Sequence, residues 1–237
     1  MTRADPRTTG GALIGSLAAG AEDRWSDIDI TFGIATDHAI ETILDDWTQI
    51  LEQEFGVLSH FDLRSGPSIY RVFLLPDGLE IDLSVTPEAD FGARGPNFQR
   101  LFGTARQLEP APQPDASSLI GLSWHHVLHA RSSIERHKPW RAEYWIGSIR
   151  DYILALACLR KGENAFHGRG VDLLPASITD PLAGALVRSL DESELRRALA
   201  AATRCLIAEL EEWDHALCAR LKPLLLEFGD LQAEGQS

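Results

Sequence analysis

Three prolines in five residues, Pro110, Pro112 and Pro114, constrain the fold of this chain more than any other feature. Each fixes φ and removes a backbone donor, so residues 109–114 read as a stiff, extended connector that neither helix nor interior strand crosses. The two sides differ in period. Before the connector, apolar residues fall in short alternating runs bounded by Gly, Pro and Asp; after it they lack strand alternation and read as helices. The expected architecture is an α/β (α+β) domain with a mixed sheet over residues 1–109, followed by an α-helical bundle domain over residues 115–237.

In the first part, residues 12–18 read as a strand entering a Gly15-Ser16 turn, and residues 27–35 as the next strand. Asp37 is the expected N-cap of a helix reaching Phe55, with Ile40, Ile43, Leu44, Trp47, Ile50 and Leu51 on one face. Residues 57–63 read as a strand ended by Arg64-Ser65-Gly66-Pro67. Residues 69–75 and 79–85 flank Pro76-Asp77-Gly78, a hairpin signal. The stretch 86–106, with Gly92, Gly95 and Gly103, reads as loop or short irregular helix. In the second part, helices are expected over 116–136, from Pro139 at a first helical position to Lys161, and over 175–190. Residues 191–226 should hold a further long helix interrupted near Pro223, before a frayed tail at 229–237.

The candidate chemistry lies in carboxylates. In Asp27-Ile28-Asp29-Ile30 successive side chains alternate between faces, so Asp27 and Asp29 project together while the isoleucines enter the core. Two parallel carboxylates repel, and a hard divalent cation such as Mg²⁺ relieves that repulsion. A third acid, Asp82, sits in the strand Gly78-Leu79-Glu80-Ile81-Asp82-Leu83, between two apolar neighbours.

Gly15-Ser16, a gap of ten residues, Asp27-x-Asp29 and the later Asp82 together resemble the nucleotidyltransferase signature of the DNA polymerase β superfamily. Ala18, Gly20, Asp23 and Ser26 are typical of its small, aminoglycoside nucleotidyltransferase-like branch. The resemblance implies a nucleotidyltransferase domain in which Asp27, Asp29 and Asp82 hold Mg²⁺ and are catalytic. Gly15 and Ser16 would contact the phosphates of ATP or another nucleoside triphosphate. Some relatives take the acceptor proton with a glutamate from the helical domain, and Glu143, in Trp140-Arg141-Ala142-Glu143-Tyr144-Trp145, is the candidate here. Arg150, seven residues on, is a candidate phosphate contact, with an ion pair inside the bundle as its alternative. Asp151 is a candidate contact for a cationic substrate. The implied reaction is transfer of AMP to a hydroxyl of a small-molecule acceptor, an aminoglycoside first, with lincosamides or a protein side chain as other acceptors. The alternative is an antitoxin-like or regulatory module that works with a protein partner. An oligomer is open, because relatives often complete their sites with a second subunit.

Charge narrows the classes. The net charge is −13, and residues 1–109 carry 8 basic against 18 acidic side chains. Duplex binding needs a basic stripe, and none is visible, so a nucleic-acid partner is not expected. No apolar run spans a membrane and residues 1–6 lack a signal-peptide core, so a cytoplasmic protein with no membrane contact is expected. Cys158, Cys205 and Cys218 lack metal-ligand spacing and read as reduced thiols in helices. His125 and His129 have the spacing of a zinc pair on a helix, but the glutamate of a hydrolase and a third ligand are missing. Packing of the bundle is therefore their expected role, as it is for Trp124, Trp140, Tyr144 and Trp145, which could also line an acceptor pocket. Gly168-Arg169-Gly170 is a weak candidate for a loop over the nucleotide.

Overall fold

The computed structural model describes residues 5–229, which fall into two compact units meeting between Ala111 and Pro112. The start of the chain and the polar tail beyond Gly229 lie outside the described residues.

The first unit is a mixed sheet with one long helix. Its elements are β1 (Thr8–Ile14), α1 (Gly15–Ala19), β2 (Ile28–Ile34), α2 (Ile40–Phe55), β3 (Ser59–Ser65), β4 (Ser68–Leu74), β5 (Glu80–Pro87), β6 (Gly92–Ala93), β7 (Phe98–Gly103) and β8 (Arg106–Gln107). Six strands form one sheet in the order β3-β4-β5-β2-β1-β7, and β6 pairs with β8 separately. Only β2 and β5 run parallel within the six-stranded sheet, with Asp29 opposite Asp82 and Phe32 opposite Val85. The period of two then sorts each strand between faces. Phe32, Ile34, Leu83, Val85, Ile69 and Phe73 pack on Ile43, Leu44, Trp47 and Leu51 of α2. Asp29, Thr31, Asp82, Ser84 and Thr86 take the other face.

One polar side chain enters the apolar layer. Arg71 on β4 is 6 % exposed, and it bonds Asp62 on β3 through two nitrogens at 2.6 and 2.8 Å. Its Nη1 reaches Asp45 and Thr48 of α2, each at 2.9 Å, so one guanidinium ties two strands to the helix.

On the opposite face two glycines, Gly10 on β1 and Gly33 on β2, lie side by side and leave a bare patch that the buried Phe91 ring covers. A methyl group added at Gly33 would sit 2.7 Å from Phe91 Cγ and 2.9 Å from its Cβ. Gly33→Ala is therefore expected to cost about 1–3 kcal/mol through overpacking. Urea unfolding checks this by a lower midpoint at unchanged slope.

Several boundaries differ from the sequence reading. Residues 15–19 are helix rather than strand, because the chain turns at Gly15 (φ +69°) and again at Gly20 (φ +63°). Asp37 does not cap α2: the N-cap is Ala39, and His38 N–H closes a turn onto the Ala35 carbonyl instead. Strand β3 runs through Arg64 and Ser65, with Gly66 at φ +56° making the turn to β4. The stretch read as loop supplies β7, an edge strand paired with β1.

The second unit is helical: α3 (Ala116–Glu135), α4 (Pro139–Lys161), α5 (Ala176–Ala183), α6 (Glu192–Trp213) and α7 (His215–Phe228). Asp115 caps α3 by accepting from Ser118 N–H at 2.8 Å, and Pro139 opens α4. The core joins Val127 and Ile134, Ile146, Ile149, Ile153 and Leu156, and Leu195, Leu199, Leu206 and Leu210. α5 is shorter than expected, ending before Gly184. The break after α6 falls at Asp214 rather than Pro223, because Asp214 takes an extended conformation and its carboxylate caps α7 at Leu217 N–H. Pro223 stays within α7. Cys158, Cys205 and Cys218 are free thiols in α4, α6 and α7. Among the described residues no helix is long and apolar enough to cross a membrane.

Candidate active site

Three local devices deliver acids to one end of the β2–β5 pair. The loop before β2 is stapled by reciprocal bonds: Asp23 N–H donates to Ser26 Oγ at 2.9 Å and Ser26 Oγ donates to Asp23 Oδ1 at 3.3 Å, while Trp25 N–H also donates to Asp23 Oδ1, at 2.8 Å. That staple sets Asp27 at the mouth of β2. The Pro76-Asp77-Gly78 turn, with Gly78 at φ +86° and Leu79 N–H held by Asp77 Oδ1, feeds β5 so that Glu80 and Asp82 share a face. The parallel register then sets Asp82 directly beside Asp29.

Among the described residues, carboxylate oxygens of Asp27, Glu80 and Asp82 lie within 4.8 Å of one another. Asp82 Oδ1 is buried and has no hydrogen-bond partner. Burial foremost, then the charges of Glu80 and Asp27, raise Asp82 above the ordinary carboxylate range. An orphaned buried acceptor amid like charges costs free energy, and such a donor set suits a hard divalent cation.

Glu80 was not among the sequence candidates. Its signal was present: it stands two residues before Asp82 on one strand, as Asp27 stands two before Asp29. Asp29 is not one of the three converging acids. Its carboxylate faces the start of α1, where a methyl group at Gly15 would overlap Asp29 Oδ2. Gly15 thus meets two demands, a left-handed φ and a close approach by a carboxylate. Gly15→Ala should displace Asp29 and lower any activity of this carboxylate site at least about tenfold, since a shift of about 1 Å in reacting geometry can cost about 10²-fold. Steady-state kinetics beside a circular dichroism spectrum checks that the loss is local. Ser16 follows Gly15 within α1, whose N-cap is Ile14.

Glu143 and Arg150 lie on α4 in the second unit, bordering Gly147. Arg150 donates to Asp151 Oδ1 through Nε at 3.0 Å and Nη2 at 2.9 Å, the ion pair given above as its alternative. The structure therefore brings Asp27 and Asp82 together with Glu80, sets Asp29 beside Asp82, and carries Glu143 and Arg150 on the helical unit. In the Gly168-Arg169-Gly170 loop Gly168 has φ +74°, and Gly170 N–H bonds the Asn164 carbonyl.

The histidines gather with aromatic rings on α3 and α4. His126 is 7 % exposed and lies between Trp145 and Tyr152, with ring centroids 4.5 and 5.2 Å away. Burial, with His125 and His129 nearby, lowers its pKa below the ordinary imidazole value. His126 Nδ1 and Trp145 Nε1 are both buried without a partner.

No protein-family model matches the chain, and no curated protein matches it in sequence. Among solved structures it is similar to an aminoglycoside 6-adenyltransferase from Bacillus subtilis, at 11 % identity and a TM-score of 0.44, covering 96 % of this chain and 94 % of that one. It is also similar to a nucleotidyltransferase-like protein from Exiguobacterium sibiricum, at 13 % identity and a TM-score of 0.40, covering 96 % and 84 %.

Proposed function

We propose that the chain is a Mg²⁺-dependent nucleotidyltransferase that moves AMP from ATP to a hydroxyl of a small molecule, an aminoglycoside being the first acceptor to try. The observation that carries this reading is the meeting of Asp27, Glu80 and Asp82 within 4.8 Å beside Asp29. Asp82 carries a buried, unpartnered oxygen facing two further acids, and a shared divalent cation would relieve that repulsion.

Nucleotidyl transfer is in-line attack of an acceptor oxygen on the α-phosphorus, with pyrophosphate leaving. Positioning and charge neutralisation dominate such reactions. Asp27, Glu80 and Asp82 would hold the Mg²⁺, with Asp29 beside them. When bound, the cation supplies charge neutralisation for the triphosphate and the departing pyrophosphate. Gly15 and Ser16, at the start of α1, would contact phosphate oxygens. Asp82 would orient the acceptor hydroxyl, whose proton is lost on attack.

The test is pyrophosphate release from ATP across a panel of aminoglycosides and lincosamides, with Mg²⁺ and with EDTA. Release that requires both Mg²⁺ and one acceptor is expected, and Asp29→Asn should abolish it. Failure of the chain to bind Mg²⁺-ATP at all would overturn the proposal.

A further inference from the structure

His125 and His129 stand one helical turn apart on α3, and their Nε2 atoms approach to 2.9 Å. Two exposed imidazoles at this spacing are free to separate into solvent, yet here the rings are held. His129 stacks on Trp145 at 5.0 Å with 25° between planes, His125 meets Trp124 edge-on at 6.1 Å, and the two imidazoles stand at 88° to each other. Aromatic packing on α3 and α4 therefore holds the two Nε2 atoms 2.9 Å apart.

We infer that this pair is a bidentate site for a borderline divalent transition ion that prefers right-angled ligands, of the Cu²⁺ or Ni²⁺ class. Imidazole nitrogens bind first-row ions at about 2.0–2.1 Å. An ion bound by two nitrogens about 2.9 Å apart would meet them at about a right angle, which the tetragonal preference of Cu²⁺ or Ni²⁺ accepts. Water fills the remaining positions. The same 2.9 Å serves an N–H···N hydrogen bond in the metal-free chain, one ring donating through Nε2 and the other accepting. Ion uptake needs both Nε2 lone pairs, so the donating ring moves its proton to Nδ1, and two neutral rings release no net proton. The nearby buried His126, with its unpartnered Nδ1, holds a further nitrogen within the same ring cluster. This site is separate in chemistry from the carboxylates of the first unit: nitrogen ligands select Cu²⁺ or Ni²⁺, and oxygen ligands select Mg²⁺.

The experiment uses the untagged, chelator-treated full chain, titrated with Cu²⁺ and followed by electron paramagnetic resonance, and with Ni²⁺ by calorimetry. One equivalent showing hyperfine coupling to two imidazole nitrogens is expected. Affinity should fall at least tenfold in His125→Ala and equally in His129→Ala, and stay unchanged in Asp82→Asn. The ion should also raise the melting temperature of the parent chain and leave both histidine variants unmoved. His125 is exposed, so His125→Ala retains the fold and decides the matter if His129→Ala does not. Unchanged binding in His125→Ala, or a signal with oxygen ligands alone, overturns the proposal.

Discussion

Asp82→Asn is expected to lower kcat/KM for nucleotide transfer by about 10³-fold or more while raising the melting temperature of the metal-free chain. The two effects share one cause. Asp82 sits partly buried between Val72 and Asp29, facing Glu80 and Asp27, with one oxygen unpartnered. Its pKa is raised in the folded chain by burial and then by those two acids. A carboxyl raised on folding holds its proton more tightly folded than unfolded. Its ionisation therefore opposes folding once the pH rises past the unfolded carboxylate range, and the penalty is in full force at neutral pH. Asparagine removes that charge, and each kcal/mol relieved moves the melting point of a chain this size by about 2–4 °C. The same change removes an anionic ligand, and a loss of 10³ corresponds to about 4 kcal/mol of transition-state stabilisation. Thermal melts in EDTA and in Mg²⁺ separate the parts. The parent should gain stability from Mg²⁺ and Asp82→Asn should not. Glu80→Gln, at an exposed position on the same face, should cost only about tenfold. A melting temperature for Asp82→Asn that falls equally with and without Mg²⁺ would assign Asp82 to packing alone.

Arg71→Ala should be the most destabilising single change to an ion pair in the first unit, at about 3 kcal/mol, or about 6–12 °C in melting temperature. The guanidinium is buried in the layer between sheet and α2, where it answers Asp62 bidentately and reaches Asp45 and Thr48. Removing it leaves Asp62 partly buried without its counter-charge and opens a void among Ile69, Phe73 and α2. Asp45 is largely solvated, which keeps the cost at the lower end for such pairs. The pH dependence has a definite sign. Arg71's hydrogen bonds hold Asp62 below the ordinary carboxylate range. That contribution is present above the unfolded carboxylate value and is lost as the pH falls through the folded one. The gap between parent and Arg71→Ala should therefore narrow in acid, and urea unfolding at pH 7 and at pH 3 measures it. A gap independent of pH would mean that packing of the side-chain stem, and not the Asp62 pair, carries the effect.

What was legible in the sequence was what local chemistry decides. Asp27-Ile28-Asp29 and Ile81-Asp82-Leu83 alternate as strands must, the Pro76-Asp77-Gly78 turn announces its hairpin, and three prolines mark where sheet gives way to helix. What was not legible depended on partners distant in sequence. Phe98–Gly103 reads as irregular because its strand identity comes from β1, some ninety residues earlier, and not from its own pattern. The run from Ala12 to Ala18 is apolar but for Ser16 and suits strand or helix equally, so the left-handed turn at Gly15 divides it. Proline at 223 outweighed Asp214 as a break in the reading, although an aspartate cap is a starting signal and a proline tolerated inside a helix is not a stop. Glu80 shares the face of Asp82 by the period of two, yet it stands at the exposed start of β5, where an acid is equally at home in solvent.

The place of β1 in the sheet has a bearing on how the chain is made. It is the first of the described strands in chain order, yet it lies inside the sheet, between β2 and the late β7. Translation at about 5–20 residues per second leaves one edge of β1 uncovered for roughly 5–20 s before Gly103 is added. The Phe91 ring, which seals Gly10 and Gly33, arrives in the same interval. Until then the nascent unit presents open backbone donors and acceptors to other polypeptides. Slowed synthesis, or a ribosome stalled before residue 98, would thus favour association between incomplete chains, and a fragment cut in that region would inherit the same exposed edge.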